Sequence, residues 1–113
     1  MWTWKPGAKV PMREIREFAA RAAAGFRPDR IILFGPYARG EATADADVCL
    51  LVVIRHRGKS RLPAKIRQCA NATFPLILLC RTPTQVRQAL ALGDSLMCEI
   101  LEQGRLLYDG HHS

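Results

Sequence analysis

The chain has 113 residues, of which 49% are hydrophobic and 24% are charged, and its formal net charge is +7. This length predicts a single domain spanning residues 1–113, and the apolar fraction excludes a disordered chain. The longest apolar runs, 48–54 and 74–80, are too short to cross a bilayer and the first residues form no apolar leader, so we expect a cytoplasmic protein that does not enter a membrane.

A helix is predicted over residues 11–24, after a segment, 1–10, that we expect to be an N-terminal extension. Apolar residues recur in this helix at spacings of three and four, which is the period of a helix that packs one face on a core. Gly25 stands where such a helix would end. At the other end of the chain we expect residues 109–113 to form a disordered tail.

Strands and helices alternate in the middle of the chain. The apolar run 30–34 predicts a buried strand that stops at Gly35, and Pro36 begins a short helix that Gly40 ends. The run 48–54 is apolar throughout, which is typical of a strand covered on both faces, so we expect it to be central.

A third strand is predicted over residues 74–80. Thr82, with Gln85 three residues later, has the pattern of a capping box and predicts a helix start, and Asp94 or Ser95 can cap a further helix. This alternation predicts an α/β or α+β domain, with helices packed on one small mixed β-sheet.

The four cysteines are widely spaced along the chain, and no two of them form a Cys-x-x-Cys pair. We therefore expect neither a zinc site nor a disulfide framework. Because each lies among apolar neighbours, we predict small buried side chains with reduced thiols. They are Cys49, Cys69, Cys80 and Cys98.

The segment 35–53 joins a glycine turn, a short helix and an acidic loop to the next strand. Such a layout places backbone N–H groups beside carboxylates, as in proteins that hold a phosphate chain through metal ions. Its sequence, GPYARGEATADADVCLLVV, resembles the signature of the minimal nucleotidyltransferases, a branch of the DNA polymerase β superfamily. That signature reads Gly-Ser-x-Ala-Arg-Gly, a short acidic loop, then Asp-x-Asp-Leu-hydrophobic. Residues 74–83 and 100–108 are similar to the family's third strand and its ending, so the resemblance implies a nucleotidyltransferase fold.

In that family the Gly-Ser turn binds the triphosphate. The resemblance implies that Gly35, Pro36 and Arg39 occupy nucleotide-binding positions, although Pro36 replaces the serine and removes both a hydroxyl and a backbone donor. Two roles are open for Arg39. It either reaches a phosphate or a partner's carboxylate, or it braces the acidic loop by pairing with Asp45 or Asp47.

Three carboxylates hold two magnesium ions in the family. A gapless alignment places Asp47 on the first carboxylate, but Cys49 on the second and Ile77 on the third. Magnesium prefers hard oxygen ligands, which neither a thiol nor an alkyl side chain supplies. We therefore expect no metal cofactor and the loss of nucleotidyl transfer. A rival alignment shortens the loop and makes Asp45 and Asp47 the metal pair.

Our leading hypothesis is a nucleotidyltransferase-like domain with a decayed metal site that binds a nucleotide or a partner protein. Members of the family often pair with a helical protein of the HEPN class in toxin–antitoxin arrangements, so the resemblance implies such a partner. The alternative is an active magnesium-dependent enzyme that uses Asp45 and Asp47.

A third hypothesis rests on the cluster of positive charge in residues 55–67. The cluster contains Arg55, Arg57, Lys59, Arg61, Lys65 and Arg67. It would grip a nucleic-acid backbone or an acidic partner, although a solvated surface is the simpler interpretation because no aromatic residues are interleaved with the charges. Elsewhere, Trp2, Trp4 and Tyr37 are predicted to cover an apolar edge rather than to stack on a base.

Overall fold

The computed structural model describes residues 8–55 and 61–110. This part of the chain contains five helices and four strands. The helices are α1 (Met12–Phe26), α2 (Pro36–Arg39), α3 (Leu62–Cys69), α4 (Pro83–Ala91) and α5 (Ser95–Gln103). The strands are β1 (Arg30–Phe34), β2 (Val48–Val53), β3 (Leu76–Arg81) and β4 (Arg105–Asp109). None of the helices described here has both the length and the apolar character needed to span a membrane.

The four strands form one mixed sheet in the order β3-β2-β1-β4. β1 is antiparallel to both β2 and β4, whereas β2 and β3 are parallel. The predicted mixed sheet is therefore confirmed. β2 lies inside the sheet and nearly all of its side chains are buried, as its uninterrupted apolar sequence predicts.

The two faces of the sheet are covered unequally. α1 and α3 pack on one face and, with the side chains of the strands, form the larger core, which contains eighteen buried residues of the described chain. Phe18 of α1 and Phe74 pack edge to face in this core, with ring centroids 5.9 Å apart. α4 and α5 lie on the other face, where the core contains only six buried residues.

The first helix continues past its predicted end at Gly25. It runs to Phe26, and Arg27 closes it in the left-handed conformation, with φ of 49° and an N–H that donates to the Ala23 carbonyl. The helix ends here because Pro28 follows Arg27, and a residue that precedes proline is disfavoured in the helical region. The expected N-terminal extension also contributes to the core, since Val10 is buried and its N–H donates to the Tyr37 hydroxyl.

The later elements also depart from their predicted positions. β3 begins at Leu76 rather than at residue 74, because Pro75 has no N–H for a strand ladder; its carbonyl accepts from the Val48 N–H instead. β4 extends to Asp109, the first residue of the segment that we assigned to a disordered tail. Asp109 pairs with Arg30 of β1. Residues 111–113 lie outside the described chain.

Helices α4 and α5 form a hairpin whose two starts are capped as predicted. The Thr82 hydroxyl accepts from the Gln85 N–H while the Gln85 side chain accepts from the Thr82 N–H, and the Asp94 carboxylate accepts from the Met97 N–H. The side of α4 that faces the sheet is buried only in part, because α4 has no buried residue and Leu90 is exposed. Because α4 gains little stability from packing, its cap contributes a larger share of its stability than the cap of a buried helix would.

We predict that Thr82→Ala lowers the free energy of unfolding by about 0.5–2 kcal/mol, because the substitution removes the cap of a helix that has little burial to compensate. Urea denaturation followed by circular dichroism measures this change. The control is Thr73→Ala at an exposed position, where we expect a change below about 0.5 kcal/mol. Equal effects of the two substitutions would show that the cap contributes nothing specific.

Candidate functional site

The glycine turn after β1 has a backbone conformation that side chains disfavour. Gly35 has φ of 75° and ψ of −158°, a region that is populated almost only by glycine. A methyl group placed on Gly35 would lie 3.2 Å from the Cys49 Sγ atom. The turn and the thiol of β2 are therefore direct neighbours, and Gly35 is required both for its conformation and for the close approach.

The strand register brings Cys49 and Ile77 side by side. Cys49 of β2 pairs with Phe34 of β1 on one side and with Ile77 of β3 on the other. Directly opposed residues of adjacent strands point to the same face of a sheet. The alkyl side chain of Ile77 is 44% exposed. The two positions that the alignment assigns to metal carboxylates are thus adjacent and carry a thiol and an alkyl group.

The thiol of Cys49 has the protonation state of a poor metal ligand. Burial raises the pKa of Cys49 above its ordinary value, the negative charge of Asp47 adds to this increase, and the positive charge of Arg39 opposes it. The Sγ atom lies 3.8 Å from the Asp47 carbonyl, to which the thiol donates. Because its pKa is raised, Cys49 remains a neutral thiol near pH 7, whereas the thiolate is the form that binds metals.

The acidic loop does not supply the missing carboxylates. Asp45 and Asp47 are both exposed, in a loop closed by a hydrogen bond from the Ala46 N–H to the Thr43 carbonyl. Across residues 8–55 and 61–110, no group of three or more His, Cys, Asp or Glu side chains is arranged to hold a metal ion. The residues present around Gly35 therefore do not fit the pair of magnesium ions that the resemblance implies.

The guanidinium of Arg39 is engaged by two carboxylates that sequence analysis missed. Its Nε atom lies 3.0 Å from Glu41 Oε1 and its Nη1 atom lies 3.2 Å from Glu99 Oε2. The hydrogen bond with Glu41 is the main cause of a raised pKa of Arg39. Of the two roles left open for Arg39, bracing the acidic loop through Asp45 or Asp47 is therefore replaced by pairing with Glu41 and Glu99. The contact with Glu99 joins α2 to α5, and only the tertiary fold, not the local sequence, brings these residues together.

Pro36 and Tyr37 occupy the start of the short helix after the glycine turn. Pro36 offers no N–H at this position, and the Gly35 carbonyl accepts from the N–H groups of Ala38 and Arg39. The buried Tyr37 side chain faces the larger core and its hydroxyl accepts from Val10. Tyr37 therefore covers an apolar region, as predicted. Trp2 and Trp4 lie outside the described residues.

The basic cluster contributes partly to internal contacts. Arg55 Nε lies 3.4 Å from Asp29 Oδ2, and Arg67 Nη2 donates to the Leu76 carbonyl at 2.6 Å. Arg61 is exposed before α3. Arg57 and Lys59 lie outside the described residues.

Comparison with known proteins identifies the fold. No family model and no curated protein matches the sequence. A solved structure from Sulfolobus solfataricus, assigned as a nucleotidyltransferase, matches with a TM-score of 0.54 at 14% identity, covering 87% of this chain and 79% of its own. A toxin–antitoxin structure with AMP-PNP matches with a TM-score of 0.59 at 17% identity, covering 83% of this chain and 73% of its own.

These matches, together with the mixed sheet and the glycine turn, show that the chain has a nucleotidyltransferase fold. It is similar to the minimal nucleotidyltransferases, in which a glycine turn and an acidic loop connect the first two strands. Both identities are low, so the similarity concerns the fold.

We predict that Gly35→Ala lowers the free energy of unfolding by about 1–3 kcal/mol, because alanine is strained in this region of φ and ψ. The contact with Cys49 adds to the cost. Chemical denaturation measures the change. The matched control is Gly25→Ala in α1, where a methyl group meets nothing within 4 Å and helix propensity favours alanine by up to about 1 kcal/mol. A Gly35→Ala protein as stable as wild type would contradict the strained turn.

The four thiols, all of which are free, differ in exposure from the prediction of uniform burial. Cys69 in the last turn of α3 is exposed, whereas Cys49, Cys80 and Cys98 are half-buried. Burial raises the pKa of Cys80 to about 11, partly offset by Arg81. Since the thiolate is the nucleophile, a raised pKa slows alkylation at neutral pH.

We therefore predict that iodoacetamide at pH 8 modifies Cys69 well before Cys80. Peptide mass spectrometry over a time course gives the order of modification. Raising the pH towards 10 should accelerate the reaction of Cys80 as its thiolate fraction grows, with the fold monitored by circular dichroism. Modification of Cys80 ahead of Cys69 at pH 8 would contradict the burial and the raised pKa.

Proposed function

We propose that this protein uses a nucleotidyltransferase fold as a binding subunit and does not catalyse two-metal nucleotidyl transfer. The observation that carries the proposal is the pairing of Cys49 with Ile77 in the β2–β3 register, next to Gly35. Two-metal catalysis requires anionic oxygens that hold both ions and fix the attacking and leaving groups. Here a neutral thiol and an alkyl group stand at two of the three carboxylate positions implied by the resemblance.

The magnitude of the loss supports a binding role over a slow enzyme. Removing a single group that stabilises developing charge costs about 10²–10³ in rate in well-studied enzymes. Asp47 alone does not hold two ions, and Glu41 and Glu99 compete with a phosphate for the guanidinium of Arg39. Loss of two carboxylates therefore removes most of the catalytic advantage of the fold.

The partner that we propose is a helical protein of the HEPN class, in a toxin–antitoxin type of pair. The similarity to a toxin–antitoxin structure supports a protein partner. Exposed apolar side chains support it as well, since Ile77 at the altered site and Leu92 and Leu96 at the hairpin are 44%, 87% and 47% exposed. Leu92 and Leu96 line an open cleft of about 490 Å³ between β3 and the α4–α5 hairpin. Exposed apolar patches of this kind mark protein interfaces.

The AMP-PNP of the toxin–antitoxin structure makes a metal-independent nucleotide a further candidate ligand.

Isothermal titration calorimetry with magnesium, with ATP, and with both together tests the loss of the metal site. We expect no heat of magnesium binding and no increase in ATP affinity when magnesium is present, because the carboxylates that would couple the two are missing. Magnesium-dependent ATP binding with turnover that disappears in Asp47→Ala would overturn the proposal and favour the active alternative with Asp45 and Asp47.

Restoring the carboxylates gives the converse prediction. The double variant Cys49→Asp/Ile77→Asp should acquire measurable affinity for magnesium or manganese, because three carboxylates would then converge beside Gly35. The matched control is Cys69→Asp/Leu106→Asp, which adds the same charges at two exposed positions on α3 and β4 and should not bind the ions. Circular dichroism establishes that both variants are folded. Equal affinities in the two folded variants would show that Cys49 and Ile77 do not occupy a vestigial metal site.

A further inference from the structure

A second cleft lies at the other side of the hairpin, between α4, α5 and the exposed ends of β1 and β2. Its volume is about 440 Å³, within the roughly 300–1,000 Å³ of small-molecule sites. We name it the hairpin cleft. It exists because α4 has no buried residue and leaves part of the sheet uncovered, whereas α5 packs on β1 through Met97 and Ile100.

The interior of the hairpin cleft is apolar. Ile32 of β1 and Val53 of β2 come from the strands, while Val86, Leu90 and Leu101 come from the two helices. Leu90 and Leu101 are 36% and 40% exposed, so their side chains are available to a ligand. An aliphatic or aromatic body placed here would bury apolar surface that the protein alone leaves in contact with water.

The rim of the hairpin cleft is cationic. Arg30, Arg55 and Arg87 line it together with a single carboxylate, Asp29. Asp29 pairs with Arg55, whereas Arg87 Nη2 donates to the Thr84 hydroxyl at 3.2 Å. A hydroxyl has no charge, so this contact orients the Arg87 guanidinium without neutralising it. Asp109 also lies opposite Arg30 in the β1–β4 register, so three guanidiniums and two carboxylates leave the rim with one net positive charge.

We propose that the hairpin cleft binds a small anionic amphiphile, with its apolar body between α4 and α5 and its carboxylate or phosphate at Arg30 and Arg87. The cationic rim selects an anion, and the apolar interior selects against compounds that are polar throughout, such as free phosphate. Guanidinium groups match both carboxylate and phosphate oxygens through paired hydrogen bonds.

The hairpin cleft is separate from the Gly35 site. Arg30 and Phe34 stand at opposite ends of β1, which places the cationic rim about 13 Å along the strand from the glycine turn. The two sites share no residue, so this proposal does not depend on the loss of the metal site. A ligand here would contact both helices of the hairpin that also carries Leu92 and Leu96.

The test is an NMR titration of the labelled full chain with decanoate, decyl phosphate and decanol, all below their critical micelle concentrations. We expect saturable shifts of the signals of Ile32, Val53, Val86, Leu90 and Leu101 with the two anions. Decanol should bind at least about fivefold more weakly, because it lacks the charge that the rim recognises. The anion that binds more tightly shows whether the rim prefers a carboxylate or a phosphate head group.

Matched variants assign the binding to the cleft. Arg87→Gln should weaken decanoate binding about two- to fivefold, whereas Arg105→Gln, at an exposed position on β4 that does not line the cleft, should leave it unchanged. Leu101→Asn should weaken all three compounds by about tenfold, whereas Leu92→Asn, outside the cleft, should not.

Three outcomes of the titration would overturn the proposal. These are shifts that do not saturate, equal affinity for decanol and decanoate, and shifts that centre on the surface around Ile77 and Leu92. Binding of an acidic peptide with no binding of the two anions would also overturn it in favour of a protein ligand.

Discussion

The pairing of β2 with β3 is the constraint on which the site depends. Because Cys49 is in register with Ile77 and also faces the turn at Gly35, three residues that are distant in sequence share one small region at the edge of the sheet. The fold therefore brings together two of the positions to which the resemblance assigns metal carboxylates. Its side chains, however, provide sulfur and carbon where divalent cations require oxygen.

Unequal coverage of the sheet gives the two faces different roles. α1 and α3 bury the larger core and account for most of the apolar contact, whereas the α4–α5 hairpin covers the opposite face incompletely. The two clefts described above lie at this hairpin. They lie on the face that contributes less to the core, where exposed side chains can change with little loss of stability.

The features that the sequence predicted best are those that depend on local chemistry. The buried strand β2 and the capping box at Thr82 depend on nearby residues, and both were confirmed. The contact of Arg39 with Glu99 was not predictable, because it depends on how α5 packs against the sheet. The positions of Cys49 and Ile77 were anticipated only through the resemblance to nucleotidyltransferases, since pairing between distant strands has no local signal. The hairpin cleft had no signal either, because it results from incomplete packing.

The weak attachment of α4 has a consequence for motion. Regions with few buried contacts open at a lower free energy than the whole domain, and their amides exchange hydrogen sooner. Because Thr82 caps α4 locally while little holds this helix to the sheet, α4 can move away from the sheet without unwinding, whereas Met97 and Ile100 anchor α5. Residues of α4 line both clefts, so this movement would widen the two together and occupation of one would alter access to the other.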